Sequence, residues 1–190
     1  MLSDEQENAY FDEARKIVDK AGRKNLYDVG RLMINQGLRP EEVMHARKEQ
    51  FSVDMHTFTV VAGKTKAAQR TVDLTEESFQ IIKARMNTSG PWIFPSERYV
   101  GQAITKLNKS HDRACRNARV SFVLYDLRHT FGTRMATEAK VDPFTLASIM
   151  GHANLRTIMR YVHPQQGEKK RAMERYEAAM RRKRLRKVVG

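Results

Sequence analysis

One β-rich stretch interrupts a chain whose other segments carry the periodicity of helices. Between residues 47 and 74, three short β-rich runs alternate with two turns, at residues 54–56 and 63–69. Runs of this kind joined by turns predict a three-stranded antiparallel meander. The expected fold class is therefore α+β and mainly helical, with one small three-stranded antiparallel sheet.

Capping residues predict where several helices begin and end. Ser3 with Gln6 forms a capping-box pattern, Gly37 suits the left-handed position after a helix, and Pro40 suits a first turn. Thr75 is the expected cap of a helix that ends near Met86. The predicted helices cover residues 3–21, 26–36, a segment from 40, 76–86, 99–117, 126–139, 143–150, 154–162 and 167–187. Trp92, Ile93 and Phe94 are expected to anchor the core.

The size of the chain and its single cysteine limit the class of protein. With 190 residues and 41% apolar residues, the chain is long enough for one domain with its own core. Cys115 has no second cysteine with which to form an internal disulfide, which favours a reducing intracellular setting. No run of about 18 apolar residues is present, and the N-terminus begins with acidic residues, so neither a membrane helix nor a secretory leader is expected.

The charge balance predicts a polyanionic partner. Thirty-five Lys and Arg residues against 22 Asp and Glu give a formal net charge of +13. Residues 165–190 hold ten basic and three acidic side chains, a net +7. The basic residues expected to contact phosphates are Lys66, Arg181, Arg182, Lys183 and Arg184.

The acidic residues do not have the spacing of metal ligands. Glu41-Glu42 and Glu76-Glu77 both fall in predicted first turns of helices, where the helix dipole explains them. Arginine can meet two phosphate oxygens with its planar fork and stays charged. Arg39 and Arg128 could therefore clamp a phosphodiester, and the chain is expected to use no metal and no cofactor.

Five residues lie in short local motifs whose combination is more specific than any one of them. The motifs are Gly-Leu-Arg-Pro-Glu-Glu at 37–42, a turn lysine at 64, Leu-Arg-His-Thr-Phe at 127–131, Gly-His at 151–152 and a tyrosine nine residues after that histidine. Together they resemble the catalytic domain of the tyrosine recombinase (phage integrase) family over residues 1–165. Residues 166–190 would then form a basic C-terminal helix or tail.

The resemblance implies a role for each of the five. Arg39 and Arg128 would hold the scissile phosphate, and His152 would assist by hydrogen bonding to it. Lys64 would protonate the 5′-hydroxyl leaving group, and Lys66 is a less favoured rival for that role. Tyr161 would be the nucleophile that forms a covalent 3′-phosphotyrosyl link to double-stranded DNA.

One position departs from the family pattern. Tyr125 stands where many members have a histidine. A phenol can donate a hydrogen bond to phosphate but is a poor proton shuttle at neutral pH. How Tyr125, Lys64 and His152 divide the acid and base steps is therefore open. His129 is expected to pack or support, because on a helix it points about 100° away from Arg128. Glu42 could orient Arg39 or could be an ordinary first-turn carboxylate.

The resemblance also bears on partners and location. The apolar stripe of Met173, Tyr176 and Met180 could dock on a neighbouring subunit, which implies a homo-oligomer, a tetramer, assembled on DNA. The alternative is that this C-terminal segment is a solvated charged helix that packs on its own domain. No membrane partner is expected, and the location would be the cytoplasm, for a protein encoded by a prokaryote or a phage. The N-terminal DNA-clamping domain of the family is expected to be absent from this chain.

The predicted function is site-specific DNA recombination. Two alternatives are a type IB topoisomerase, which shares the arginine, lysine and tyrosine chemistry, and a catalytically idle DNA-binding module that kept the scaffold. Taken singly, Arg39 and Lys64 are more simply explained as solvated residues, and Tyr161 as core filler. The joint occurrence of the motifs favours the recombinase.

Overall fold

A computed structural model of the chain describes residues 1–61, 69–161 and 168–188. These residues form a mainly helical α+β fold with one small sheet, as predicted. In chain order, the helices and strands are α1 (Asp4–Lys16), α2 (Asn25–Gln36), α3 (Pro40–Met44), β1 (Phe51–Ser52), β2 (Thr57–Val60), β3 (Arg70–Asp73), α4 (Glu76–Arg85), α5 (Asn108–Ala118), α6 (Asp126–Thr137), α7 (Pro143–Met150), α8 (Leu155–Ile158) and α9 (Glu168–Val188). None of the helices in the described ranges is long and apolar enough to cross a membrane.

The sheet is the predicted antiparallel meander. Its strand order is β1-β2-β3, and Phe58 of β2 pairs with Phe51 on one side and with Val72 on the other. All three of these side chains are buried. Because side chains alternate between the two faces of a strand, this register directs one face of the sheet into the core.

Local capping places several helices where the sequence predicts them. Ser3 Oγ accepts from the Gln6 amide at 3.3 Å, and Gln6 Oε1 accepts from the Ser3 amide at 3.0 Å. Thr75 caps α4 in a similar way. The first helix is nevertheless shorter than predicted and ends at Lys16. The Asp19 carboxylate explains this, because it accepts from the amides of Ala21 and Arg23 and closes a separate turn.

The predicted bounds of two further helices were wrong. Helix α5 begins at Asn108, whereas the prediction began at residue 99, because Pro95 forms an antiparallel bridge with Ala103. Helix α8 spans only four residues, Leu155–Ile158, instead of 154–162. Trp92 is also not fully in the core, in contrast to Ile93 and Phe94, which are fully buried.

Two apolar clusters meet around α6. The larger cluster includes buried residues of α1, α2, α4, α5 and the sheet. The smaller one joins α6, α7, α8 and the residues that follow α8, and its members are Phe131, Leu146, Ala147, Met150, Ile158 and Tyr161. Helix α6 contributes Leu127 to the first cluster and Phe131 to the second. The side chains of α6 are therefore held from both sides.

Gly37 is the tight point between α2 and α6. Its φ of 62° is left-handed, and its amide closes α2 on Met33 O at 2.9 Å. A Cβ built at this position would lie 2.6 Å from Cε1 of Phe131 on α6. Both the backbone conformation and the packing require glycine here.

We predict that Gly37→Ala lowers the free energy of unfolding by about 3 kcal/mol, from backbone strain and overpacking together. Gly22→Ala is the matched control. Gly22 also has a positive φ, 74°, but a Cβ there would meet no atom within 4 Å, so about 1 kcal/mol is expected. Urea unfolding followed by circular dichroism measures both. Equal losses would show that the Phe131 contact is unimportant.

Candidate active site

Three arginines from three separate segments donate to three consecutive carbonyls at the C-terminal end of α7. Arg70 begins β3, Arg128 lies in the first turn of α6, and Arg39 precedes α3. The contacts are Arg70 Nε to Ile149 O at 2.7 Å, Arg128 Nη2 to Met150 O at 2.6 Å and Arg39 Nη2 to Gly151 O at 3.0 Å. Residues far apart in the sequence are thereby collected at one helix end.

The end of α7 is suited to hold cations. The last carbonyls of a helix lack intrahelical donors, and the helix dipole places about half a negative charge there. Gly151 caps α7 with a φ of 66°, a left-handed conformation that favours glycine. The next amide, that of His152, donates back to Ala147 O at 2.9 Å. The same turn therefore presents carbonyls to the arginines and places the His152 ring beside them.

Arg128 is the most enclosed of these cations. Its side chain is fully buried, and it also donates to Gly37 O, at the end of α2. Burial, followed by repulsion from Arg39, lowers its pKa to about 10. Because that value is well above 7, Arg128 stays charged at neutral pH.

The His152 ring is neutral and its tautomer is set by Arg128. Burial and the nearby charges of Arg128 and Arg39 lower the pKa of His152 to about 4. Its Nε2 lies 2.5 Å from Arg128 Nη2. A guanidinium can only donate, so Nε2 accepts and the ring proton is on Nδ1.

Two donors in this cluster are buried without a partner. Within the described part of the chain, neither Nε of Arg128 nor Nδ1 of His152 has a hydrogen-bond partner. Leaving a buried donor unpaired costs about 1–3 kcal/mol. Two such donors on contacting residues are available to an acceptor with more than one oxygen.

Glu42 holds the outer arginines together. Its carboxylate accepts from Arg70 Nη1 and Nη2 at 3.1 and 2.9 Å, and from Arg39 Nη1 at 2.6 Å. Burial alone would raise the pKa of Glu42, but the contacts with Arg70 and Arg39 outweigh it and the pKa is lowered. The geometry agrees with both uses considered for Glu42, because its carboxylate contacts the Arg39 guanidinium and also accepts from the Arg39 amide at 2.8 Å, as a first-turn carboxylate does.

Arg70 was not identified from the sequence, where it was only part of a β-rich run. Its side chain is 6% exposed. The one available signal is its register, because Arg70 pairs with Val60, a buried strand residue. A charged residue opposite a buried valine needs a partner inside the protein.

Tyr161 lies in a slot formed by residues of α6, α7 and α8. Its ring is buried, and burial raises the pKa of the phenol. A Cβ on Gly132 would lie 3.0 Å from Cζ of Tyr161 and 3.1 Å from Sδ of Met150. The absence of a side chain at Gly132, one turn after Arg128, therefore lets the Tyr161 ring approach α6.

The Tyr161 hydroxyl lies 2.6 Å from Nδ1 of His129. The rings of His129 and Tyr125 are also in edge contact, with centroids 5.0 Å apart. His129 thus does not share the contacts of Arg128, in agreement with their separation around the helix. Its contact with the Tyr161 oxygen was not foreseen.

Of the remaining predicted residues, only Arg181 has a side chain in the described part of the chain. Lys64 and Lys66 lie in residues 62–68, outside the described residues. Arg181 is exposed on α9. Arg182, Lys183 and Arg184 continue the same helix, and their side chains also lie outside the described part.

The charges of the cluster favour an oxyanion. Three guanidinium groups, those of Arg39, Arg70 and Arg128, face one carboxylate, that of Glu42. Among the residues that the structure describes, no group of three or more His, Cys, Asp or Glu side chains is placed to hold a metal ion. A fixed excess of positive charge beside a buried phenol can bind a phosphate and present it to a nucleophile.

Comparisons with known proteins agree with this chemistry. Residues 2–168 match the model of the "Phage integrase family". Two similar relatives are named "Tyrosine recombinase XerC". That of Staphylococcus saprophyticus is 26% identical, over 84% of this chain and 55% of the relative. That of Caldanaerobacter subterraneus is 25% identical, over 87% of this chain and 49% of the relative. The chain thus spans about half the length of the curated relatives it matches.

Solved structures share the fold. The Tn1549 transposon integrase in complex with a circular intermediate DNA superposes with a TM-score of 0.75 at 21% identity, covering 92% of this chain and 65% of that chain. The catalytic domain of bacteriophage HP1 integrase gives a TM-score of 0.66 at 21% identity, covering 92% of this chain and 93% of that chain.

We predict that Glu42→Gln lowers the free energy of unfolding at pH 7 by about 3 kcal/mol, because Arg70 loses its buried counter-charge. The pKa of Glu42 is lowered in the folded state, so its contribution is complete above the ordinary value of 4.5 and is lost as the pH falls through the folded value. The difference in the free energy of unfolding between the wild type and the variant should therefore become smaller below pH 4.

Glu41→Gln is the control for this prediction. Glu41 shares the first turn of α3 with Glu42 but is exposed, so a change within about 0.5 kcal/mol is expected. Urea unfolding from pH 3 to pH 7 measures all three proteins. If Glu42→Gln and Glu41→Gln behave alike, the buried carboxylate does not hold the arginines.

Proposed function

This chain belongs to the phage integrase family, and we propose that it cleaves and rejoins double-stranded DNA in site-specific recombination through a covalent 3′-phosphotyrosyl intermediate. The observation that carries the proposal is the cluster at the end of α7. There Arg39, Arg128 and His152 lie together, two buried donors have no partner among the described residues, and α6 links them to the buried Tyr161.

The scissile phosphate binds to the arginine cluster. Arg128 offers Nε and His152 offers Nδ1, the two donors that lack partners within the described residues. Arg39 is 29% exposed on its side chain and adds a second guanidinium at the rim. These charges are fixed by carbonyls and Glu42 before any substrate arrives, so they stabilise the pentavalent state without reorganising.

Tyr161 attacks the phosphorus and the 5′ oxygen leaves. The phenol oxygen replaces the 5′ oxygen, which conserves one phosphodiester bond in the protein–DNA link. Lys64 protonates the departing oxygen in this proposal. The support for this role is the position of Lys64 in the sequence. Residues 62–68 come shortly before β3, and Arg70 of β3 contacts Glu42 and Ile149.

The stored ester is later attacked by the 5′-hydroxyl of another strand. This exchange consumes no nucleotide cofactor, because the bond energy is kept in the phosphotyrosine. The arginine donor set supplies the charge that a metal ion supplies in other phosphoryl-transfer sites. We therefore expect cleavage to proceed in the presence of EDTA.

DNA is the proposed substrate for three reasons. The chain has a net charge of +13, the Tn1549 integrase was solved in complex with DNA, and XerH was solved bound to its difH substrate. Residues 1–165 are proposed as the catalytic unit and residues 166–190 as a basic tail. The proposed setting is the cytoplasm, for a protein encoded by a prokaryote or a phage.

The tail is proposed to join subunits on DNA. Met173 and Tyr176 of α9 are 59% and 58% exposed, so the described residues leave these two side chains largely uncovered, whereas Met180 is half-buried. A stripe of this kind can dock on a second copy. Arg181, Arg182, Lys183 and Arg184 would then lie near the DNA backbone, and the assembly would be a tetramer.

We predict SDS-resistant capture of nicked DNA by the wild type and none by Tyr161→Phe. A library of nicked duplexes with randomised sequence serves as the substrate, since a nick beside the scissile bond lets the 5′ product diffuse away and traps the covalent link. The reaction is run with EDTA at about 50 mM salt, where phosphate contacts are strongest. Sequencing the retained DNA identifies the cleaved site.

Tyr99→Phe is the matched control. Tyr99 is an exposed tyrosine outside the cluster, so DNA should capture this variant as it captures the wild type. Capture that persists in Tyr161→Phe would assign the nucleophile elsewhere. No capture by any of the proteins, with the fold intact by circular dichroism, would overturn the cleavage proposal and favour an idle DNA-binding module.

A further inference from the structure

The Tyr161 hydroxyl makes a short hydrogen bond to His129. Its oxygen lies 2.6 Å from Nδ1, and the two rings are tilted with centroids 5.8 Å apart. His129 is the fourth residue of α6 and directly follows Arg128. One helix therefore carries a phosphate-binding arginine and a ring that contacts the attacking oxygen.

The surroundings of His129 keep its ring neutral. Burial lowers its pKa, and the positive charges around it lower the pKa further, while one carboxylate opposes them. The first turn of α6 also disfavours an imidazolium, because the helix dipole is positive there. The groups that face His129 are Asp126, Arg160, Arg128, the amino group of Met1, Tyr125 and Tyr161.

The direction of the hydrogen bond follows from these charges. Burial raises the pKa of Tyr161, so the phenol keeps its proton at neutral pH. A neutral imidazole has one nitrogen that can accept. The phenol proton therefore points to Nδ1 of His129.

Among the described residues, the other side chains of the site are poor acceptors of the Tyr161 proton. Guanidinium groups such as Arg128 only donate. The accepting nitrogen of His152 is occupied by Arg128 Nη2. Tyr125 is a phenol, which does not take up a proton at neutral pH.

Resting on the proposed function, we propose that His129 accepts the phenol proton of Tyr161 during DNA cleavage and returns it during rejoining. In cleavage, the bond from Tyr161 Oη to phosphorus forms and the bond from phosphorus to the 5′ oxygen breaks. The phenol proton passes to Nδ1 of His129, and the 5′ oxygen takes a proton from Lys64. In rejoining, each proton moves back as the phosphotyrosine is displaced.

The charge formed on His129 is balanced locally. An imidazolium beside Arg128 and Arg160 is unfavourable in the free protein. A bound phosphate that gains negative charge as it becomes pentavalent offsets that repulsion, and Asp126 favours the protonated ring. Proton uptake is therefore favoured at the moment of attack and disfavoured before it.

The first test needs no DNA. Nitrogen-15 NMR of the imidazole rings in the free wild-type protein should show a bare Nδ1 and a protonated Nε2 for His129, with resonances assigned by their loss in His129→Asn. The hydrogen bond from Tyr161 stabilises the neutral ring of His129. Tyr161→Phe removes this bond, so the pKa of His129 should rise. A protonated Nδ1 on the neutral ring would reverse the bond and overturn the proposal.

The second test measures the rate of covalent capture against pH, on a nicked duplex recovered from the library. The wild-type rate should rise with pH and become level above the lowered pKa of His129. His129→Asn keeps a side chain that can hydrogen-bond to Tyr161 but cannot take up a proton. The capture rate of this variant at pH 7 should be lower than that of the wild type by about 100-fold or more. Its pH profile should not have the plateau of the wild type.

His45→Asn is the control. His45 is exposed and its ring bonds to Glu41 O of the neighbouring helix α3, so the rate of this variant should equal that of the wild type. A wild-type rate in His129→Asn would overturn the proposal. A slower rate with an unchanged pH profile would also overturn it, because His129 would then only position Tyr161. If no protein is captured, cleavage itself fails, and the NMR result alone decides whether Tyr161 donates to His129.

Discussion

The contact between three guanidinium groups and the last carbonyls of α7 is the interaction on which the site depends. Arg39, Arg70 and Arg128 repel one another, and at least Arg128 is fully out of solvent. Their repulsion is offset by the negative end of a helix and by the carboxylate of Glu42. The gathering of these charges needs α3, β3, α6 and α7 in place together, so folding and construction of the site are one event.

Helix α6 divides the proposed chemistry between two adjacent residues. Arg128 and His129 point about 100° apart, so one meets the carbonyls of α7 and the other meets the Tyr161 hydroxyl. Gly132 completes the arrangement by leaving room for the Tyr161 ring. In the proposed mechanism, a single turn of helix therefore couples phosphate binding to control of the nucleophile.

The sequence predicted what depends on neighbouring residues and missed what depends on distant ones. The capping box of Ser3, the left-handed Gly37 and the meander are local patterns, and they were confirmed. The start of α5 was wrong because the bridge from Pro95 to Ala103 is a pairing that helical periodicity does not encode. Arg70 was missed since its role depends on Glu42 and on Ile149, 79 residues away. The motif residues were found through short sequence motifs shared with a family. Such motifs identify the residues but do not show which contacts they make.

The most direct measurement of the central claim is a crystal structure of the protein with a short nicked duplex and orthovanadate, which adopts the trigonal-bipyramidal geometry of phosphoryl transfer. The account predicts vanadium bonded to Tyr161 Oη, with equatorial oxygens that accept from Arg39, from Nε of Arg128 and from Nδ1 of His152. The three arginine contacts with the α7 carbonyls should remain unchanged. Vanadate bound away from Tyr161, or arginines that leave α7 to reach it, would contradict a site built before its substrate arrives.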